Sequence, residues 1–66
     1  MEKRMMILEE LRRKAGLTQE QLSKKSGVAT STISRLEIVG LQEAKVDTLL
    51  KLADAIGCRV GDFFMP

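Results

Sequence analysis

The chain has 66 residues, with 11 Lys and Arg against 9 Asp and Glu for a formal charge of +2, a single Cys and no His. A chain of this size buries only about 60% of its unfolded surface, and with these side chains it can build neither an internal disulfide nor a zinc site of Cys/His type. It must depend on close helix packing as one domain spanning residues 1–66, and with no His for acid–base work an enzyme is not expected.

The amino-terminal run Met5-Met6-Ile7-Leu8 is broken at once by Glu9 and Glu10, too short for a secretory signal. No stretch approaches the roughly 20 apolar residues of a membrane span, and a lone cysteine suits a reducing compartment, so a cytoplasmic protein is expected. The net charge says little, but its distribution says more. From Gly27 to Leu36 there is no acid, and Arg35 is the only charge.

In chain order, Met5, Leu8, Leu11 and Ala15 recur at three- and four-residue spacing with Glu9, Glu10, Arg13 and Lys14 turned away, which predicts an amphipathic helix from about Met5 to Ala15. Gly16 closes it. Thr18 is the N-cap of the next helix, and Gln21, three positions on, completes a capping box. Leu17 and Leu22 flank that cap as an apolar staple. Leu22 and Ser26 face inward, Lys24 and Lys25 outward, and Gly27 ends the helix after little more than two turns.

Val28 is the apolar residue of the turn. A third helix follows from about Thr30 to Glu37, with Ala29 and Thr30 competing for its N-cap. At 100° per residue, Thr30, Ser31, Ser34 and Arg35 span roughly 140° of one face, while Ile33, Leu36 and Glu37 cluster on the opposite one. Such a helix can be gripped from behind and offer its front to something else, although hydroxyls also suit a plain solvated helix start.

Ile38 to Lys45 loses periodicity, contains Gly40 and reads as a loop. Val46, Leu49, Leu50, Leu52, Ala53 and Ile56 predict a strongly apolar helix stopped by Gly57, and Val60, Phe63 and Phe64 supply a final turn or two before Pro66. Strand signals are absent, so the class is all-α, a compact bundle of about five short helices. The methionines read as core filler and chain end, Cys58 as a small buried hydrophobe, and no metal or cofactor is expected.

The run G-L-T-Q-E-Q-L-S-K-K-S-G-V-A-T-S-T-I-S-R-L-E, followed after a loop by V-D-T-L-L-K-L-A-D-A-I-G, resembles the helix-turn-helix domain of the phage Cro and repressor type, the XRE-like family. The resemblance covers about Leu8 to Phe64. The Thr-Gln pair, Gly27 and the Ile-Ser-Arg-Leu-Glu run stand in the family's order and spacing. It implies a lambda-repressor-like fold with the helix-turn-helix proper at 18–37, and a transcriptional repressor that binds a palindromic double-stranded DNA operator as a symmetric homodimer.

In that family the helix after the turn enters the major groove. Carried over, Thr30 and Ser31 take the first base-reading positions, with Ser34 and Arg35 further along the same face. Gln19 matches a residue that anchors a phosphate and braces the reading helix. Thr18 stands at a positive helix end that attracts phosphate, and Lys24, on the solvated face with Lys25, adds a cation. The resemblance also implies a buried pairing of Arg12 with Glu37. Arginine can donate bidentately to guanine, whereas the hydroxyls make more permissive contacts, so sequence choice leans on Arg35 and on DNA shape.

Between Glu37 and Val46 the chain departs from the family. Ile38-Val39 stand where a polar pair is expected, Gly40 comes a residue late, Ala44 replaces a proline and Lys45 a capping Ser. Either phosphate anchoring from this loop is weakened, or Ile38, Val39 and Leu41 make a protein contact, between two copies together with the Phe63-Phe64-Met65 tail or with a different protein. Two competing functions follow: the antitoxin of a toxin–antitoxin pair, which holds a toxin on a second surface, and a protein-interaction module that no longer binds DNA.

Overall fold

The computed structural model describes residues 7–64. Four α-helices, α1 (Ile7–Lys14), α2 (Gln19–Ser26), α3 (Thr30–Val39) and α4 (Val46–Ile56), are joined by short connections, with 3₁₀ turns at Leu41–Glu43 and Val60–Phe64. The fifth helix of the sequence reading is the last of these turns. All four methionines, including Met5 at the expected start of the first helix, lie outside the described residues, as does Pro66.

α1 turns Leu8 and Arg12 inward. Ala15, expected on its apolar stripe, is exposed instead, because the helix ends at Lys14 and the chain turns away through Gly16. α2 is set by the expected capping box: the Gln21 backbone N–H donates to Thr18 Oγ1 at 3.1 Å, and the Thr18 N–H donates to Gln21 Oε1 at 2.9 Å. Its end is equally local. Gly27 takes the left-handed conformation at φ 81°, where its N–H reaches back 2.8 Å to the Ser23 carbonyl.

The turn into α3 is fixed by three hydrogen bonds. The Val28 N–H donates to Ser26 Oγ at 3.1 Å, and the Ala29 carbonyl accepts from the Thr32 and Ile33 N–H groups at 3.0 Å each. Ala29 is therefore the N-cap, and Thr30 is the first helical residue. The expected end of α3 at Glu37 is corrected: the helix continues through Ile38 and Val39, because nothing in either residue interrupts the backbone ladder before Gly40. Gly40 stops it at φ 104° and ψ 149°, a conformation essentially confined to glycine.

The rest of the expected loop is also more structured than the sequence implies. Leu41 is only 3% exposed and belongs to the core, so it is not a protein-contact residue. Lys45 is the N-cap of α4 and makes no side-chain cap bond. α2 packs on both α3 and α4, and α1 touches α3 and the last 3₁₀ turn. Between them lie Leu8, Leu22, Ile33, Leu36, Leu52 and Phe63, all sealed from solvent. Within α4, Leu49, Leu52, Ala53 and Ala55 face this core, whereas Val46 and Leu50, which the pattern assigned to the same apolar helix, point outward.

Cys58 is half-buried against the core. Burial pushes its thiol above the ordinary range and the Asp62 carboxylate adds to the shift, both favouring the protonated form.

The two turn glycines should respond differently to a methyl group. Gly27→Ala places a Cβ in open space and meets only the left-handed backbone, for a cost of about 1 kcal/mol. Gly40→Ala meets a less tolerant backbone conformation, while the exposed Gln42 side-chain amide that its Cβ would touch swings aside at little cost, so the backbone alone sets an expected loss of about 2 kcal/mol. Urea unfolding of the two variants measures the difference, and equal losses would contradict the assignment of Gly40 as the stop of α3.

Candidate nucleic-acid interface

The outward side of α3 is composed of small hydroxyls and one cation. Thr30, Ser31 and Arg35 are exposed and Ser34 is half-buried between them, while Ile33 and Leu36 on the opposite side are sealed in the core. Because Ala29 supplies the cap, the Thr30 hydroxyl is not consumed by capping and is free to contact a ligand. Among the described residues Arg35 enters no ion pair. It borders an open cleft of about 260 Å³ shared with Thr32, Glu43, Lys45 and Thr48.

Glu37, the nearest acid in sequence, is held away from this face. Arg12 Nε donates to Glu37 Oε2 at 2.7 Å and Arg12 Nη2 to Oε1 at 3.3 Å, a forked pairing in which the two side chains keep only 10% and 8% of their accessible surface. The remaining guanidinium nitrogen, Nη1, donates to the Leu17 carbonyl at 2.9 Å. A third side chain joins: Gln19 Nε2 donates to Glu37 Oε1 at 2.9 Å. No buried side-chain nitrogen or oxygen among the described residues is left without a partner.

This network ties α1, the entry to α2 and the last turns of α3 together at one carboxylate. The Arg12 guanidinium is raised above its ordinary value, chiefly by its hydrogen bond to Glu37, with burial opposing the shift. A raised value means that the proton is bound more tightly in the folded state. The stability it contributes is present at every pH below the ordinary arginine value and is lost only as pH rises through the folded one, so it is constant across the neutral range.

At the start of α2, Thr18 and Gln19 stand side by side. The Thr18 hydroxyl oxygen accepts the capping bond, which leaves its own O–H to donate. Gln19 spends one of its two amide N–H bonds on Glu37 and keeps the second. Lys24 and Lys25 are exposed on the same helix, and Glu20 is an exposed acid in its first turn.

A model of the helix-turn-helix family matches residues 8–63. The chain belongs to the Cro and repressor type of helix-turn-helix proteins. That family comprises DNA-binding transcriptional regulators rather than catalysts, and among the described residues no three His, Cys, Asp or Glu side chains are grouped to hold a metal. Searches of curated proteins and of solved structures returned no match. Among the described residues no helix of this helix-turn-helix protein is long and apolar enough to cross a membrane.

Two features of the helix-turn-helix surface escaped the sequence reading. Ile38 belongs to α3 and is 66% exposed, which continuing the 100° rotation past Glu37 would have revealed. The family resemblance gave Gln19 as a brace of the reading helix but not its partner: Glu37 lies 18 residues away, and no local pattern signals the bond between them.

The network carries a direct test. Glu37→Ala strands a buried guanidinium and should cost about 3 kcal/mol in urea unfolding, whereas replacing both partners, Arg12→Met with Glu37→Leu, should cost less than the single change. A single-variant loss of a few tenths of a kcal/mol would mean that the pairing does not hold the helices.

Proposed function

We propose that this chain is a sequence-specific transcriptional repressor that lays α3 in the major groove of double-stranded DNA, one copy per half-site of a palindromic operator. Thr30, Ser31, Ser34 and Arg35 contact base edges, with Arg35 donating to guanine O6 and N7 as the strongest discriminator. Thr18, Gln19 and Lys24 contact backbone phosphates and fix the helix in register. The observation that carries this reading is the outward face of α3: exposed, with no acid of the helix itself upon it, and backed by Ile33 and Leu36 sealed in the core.

A two-fold operator calls for two copies, one on each half-site, with centres about 34 Å apart. Exposed Val46, Leu50 and Phe64 are available to the contact between copies.

Selection of bound duplexes from a random pool tests the whole reading: two-fold symmetric sites with half-sites one helical turn apart are expected, and no enrichment at physiological salt would reject it. Within the selected site, Arg35→Ala should weaken binding by about 1–3 kcal/mol and relax preference at one base pair per half-site. Lys24→Ala should instead weaken all sequences alike and lower the log–log salt slope by about one for each copy bound. Unchanged selectivity in the arginine variant, or an unchanged slope in the lysine variant, would remove that residue from its role.

A further inference from the structure

We propose that Ile38 is a further specificity-determining residue, one that reads the C5-methyl group of a thymine beside the base pair taken by Arg35. The inference rests on the DNA-binding reading above and extends it along the same helix.

α3 runs two residues past Glu37, and this sets where Ile38 points. Taking Thr30 as zero and 100° per residue, Ser34 lies at about 40°, Ile38 at about 80°, Ser31 at about 100° and Arg35 at about 140°. The buried Ile33 and Leu36 lie at about 300° and 240°, so the outward direction is near 90°. Ile38 and Ser31 are thus the two residues aimed most directly away from the protein. In sequence spacing, Ser31, Ser34, Arg35 and Ile38 are i, i+3, i+4 and i+7, a stripe about 10 Å long that matches about three base-pair steps.

The chemistry of the side chain then selects its target. Ile38 is 66% exposed and has neither a donor nor an acceptor, so it can bind neither a phosphate nor the polar edge of a base. The thymine methyl is the apolar group that the major groove presents. A β-branched side chain in a helix holds essentially one χ1 rotamer, so the contact is organised before DNA arrives.

A protein-docking role is less well supported at this position. The neighbours of Ile38 on its face are Ser34 and Arg35, one turn back. Val39 stands about 100° around the helix from Ile38 and is 39% exposed, Leu41, which would have extended an apolar patch beyond it, is buried, and the exposed Val46 and Leu50 belong to α4.

The test uses the full chain and the duplex selected above, with deoxyuridine replacing thymine at each position in turn. The wild type should lose about fourfold in affinity at one position per half-site, adjacent to the Arg35 base, the factor that corresponds to burying one methyl-sized group. Ile38→Ala should bind the thymine and deoxyuridine duplexes equally, Ile38→Val should keep the discrimination, and Arg35→Ala should keep it too while changing the neighbouring base preference. Ile38 is exposed, so these variants leave the core untouched. Indifference of the wild type to every methyl, a selected site with no thymine beside the Arg35 base, or discrimination that survives in Ile38→Ala each overturns the proposal. Those results leave the DNA-binding reading intact so long as Arg35→Ala alters the selected sequence; failure to select any sequence overturns both.

Discussion

One carboxylate organises this small protein. Glu37 gathers the Arg12 guanidinium from α1 and the Gln19 amide from the start of α2, and Arg12 in turn holds the Leu17 carbonyl at the entry to α2. A buried charge without partners would be prohibitive, and a buried pair is not by itself a source of stability. Its use here is geometric. It fixes the angle at which α3 leaves the body, and that angle determines what α3 can present.

The same arrangement decides the electrostatics of the exposed face. With Glu37 turned inward and neutralised, no carboxylate on α3 competes with an incoming phosphate. The outward side is left with short hydroxyls, one arginine and Ile38. By contrast, the exposed ion pair of Lys51 with Asp47 at 3.3 Å, and the more sheltered pair of Arg13 with Glu9, are neighbours four residues apart on single helices and contribute little to the fold.

What could be seen in the sequence was whatever is decided within a few residues. The capping box of Thr18 and Gln21, the glycine stop after α2 and the inward stripe of Ile33 and Leu36 depend on local bonds and helical phase, and they are present as expected. Two kinds of feature were not legible. The end of α3 lies later than the sequence suggests because the apolar period is lost after Glu37, while the helix itself needs only an unbroken backbone ladder, which lasts until Gly40. The partition of α4 was also hidden: Val46, Leu49, Leu50 and Leu52 look alike in a periodic pattern, and only the packing of α2 and the last 3₁₀ turn decides which of them face the core. The pairing of Arg12 with Glu37 entered through family resemblance rather than through spacing, since 25 residues separate the partners.

The central claim is that the outward side of α3, with the first turn of α2 beside it, is the surface that meets DNA. Amide chemical-shift mapping during titration with a selected duplex tests it most directly. The largest changes should fall on Thr30, Ser31, Ser34, Arg35 and Ile38 and on Thr18 and Gln19, with the α4 stripe around Val46 and Leu50 affected only where two copies meet. Changes confined to α4 or to the last 3₁₀ turn, with α3 unmoved, would contradict the account.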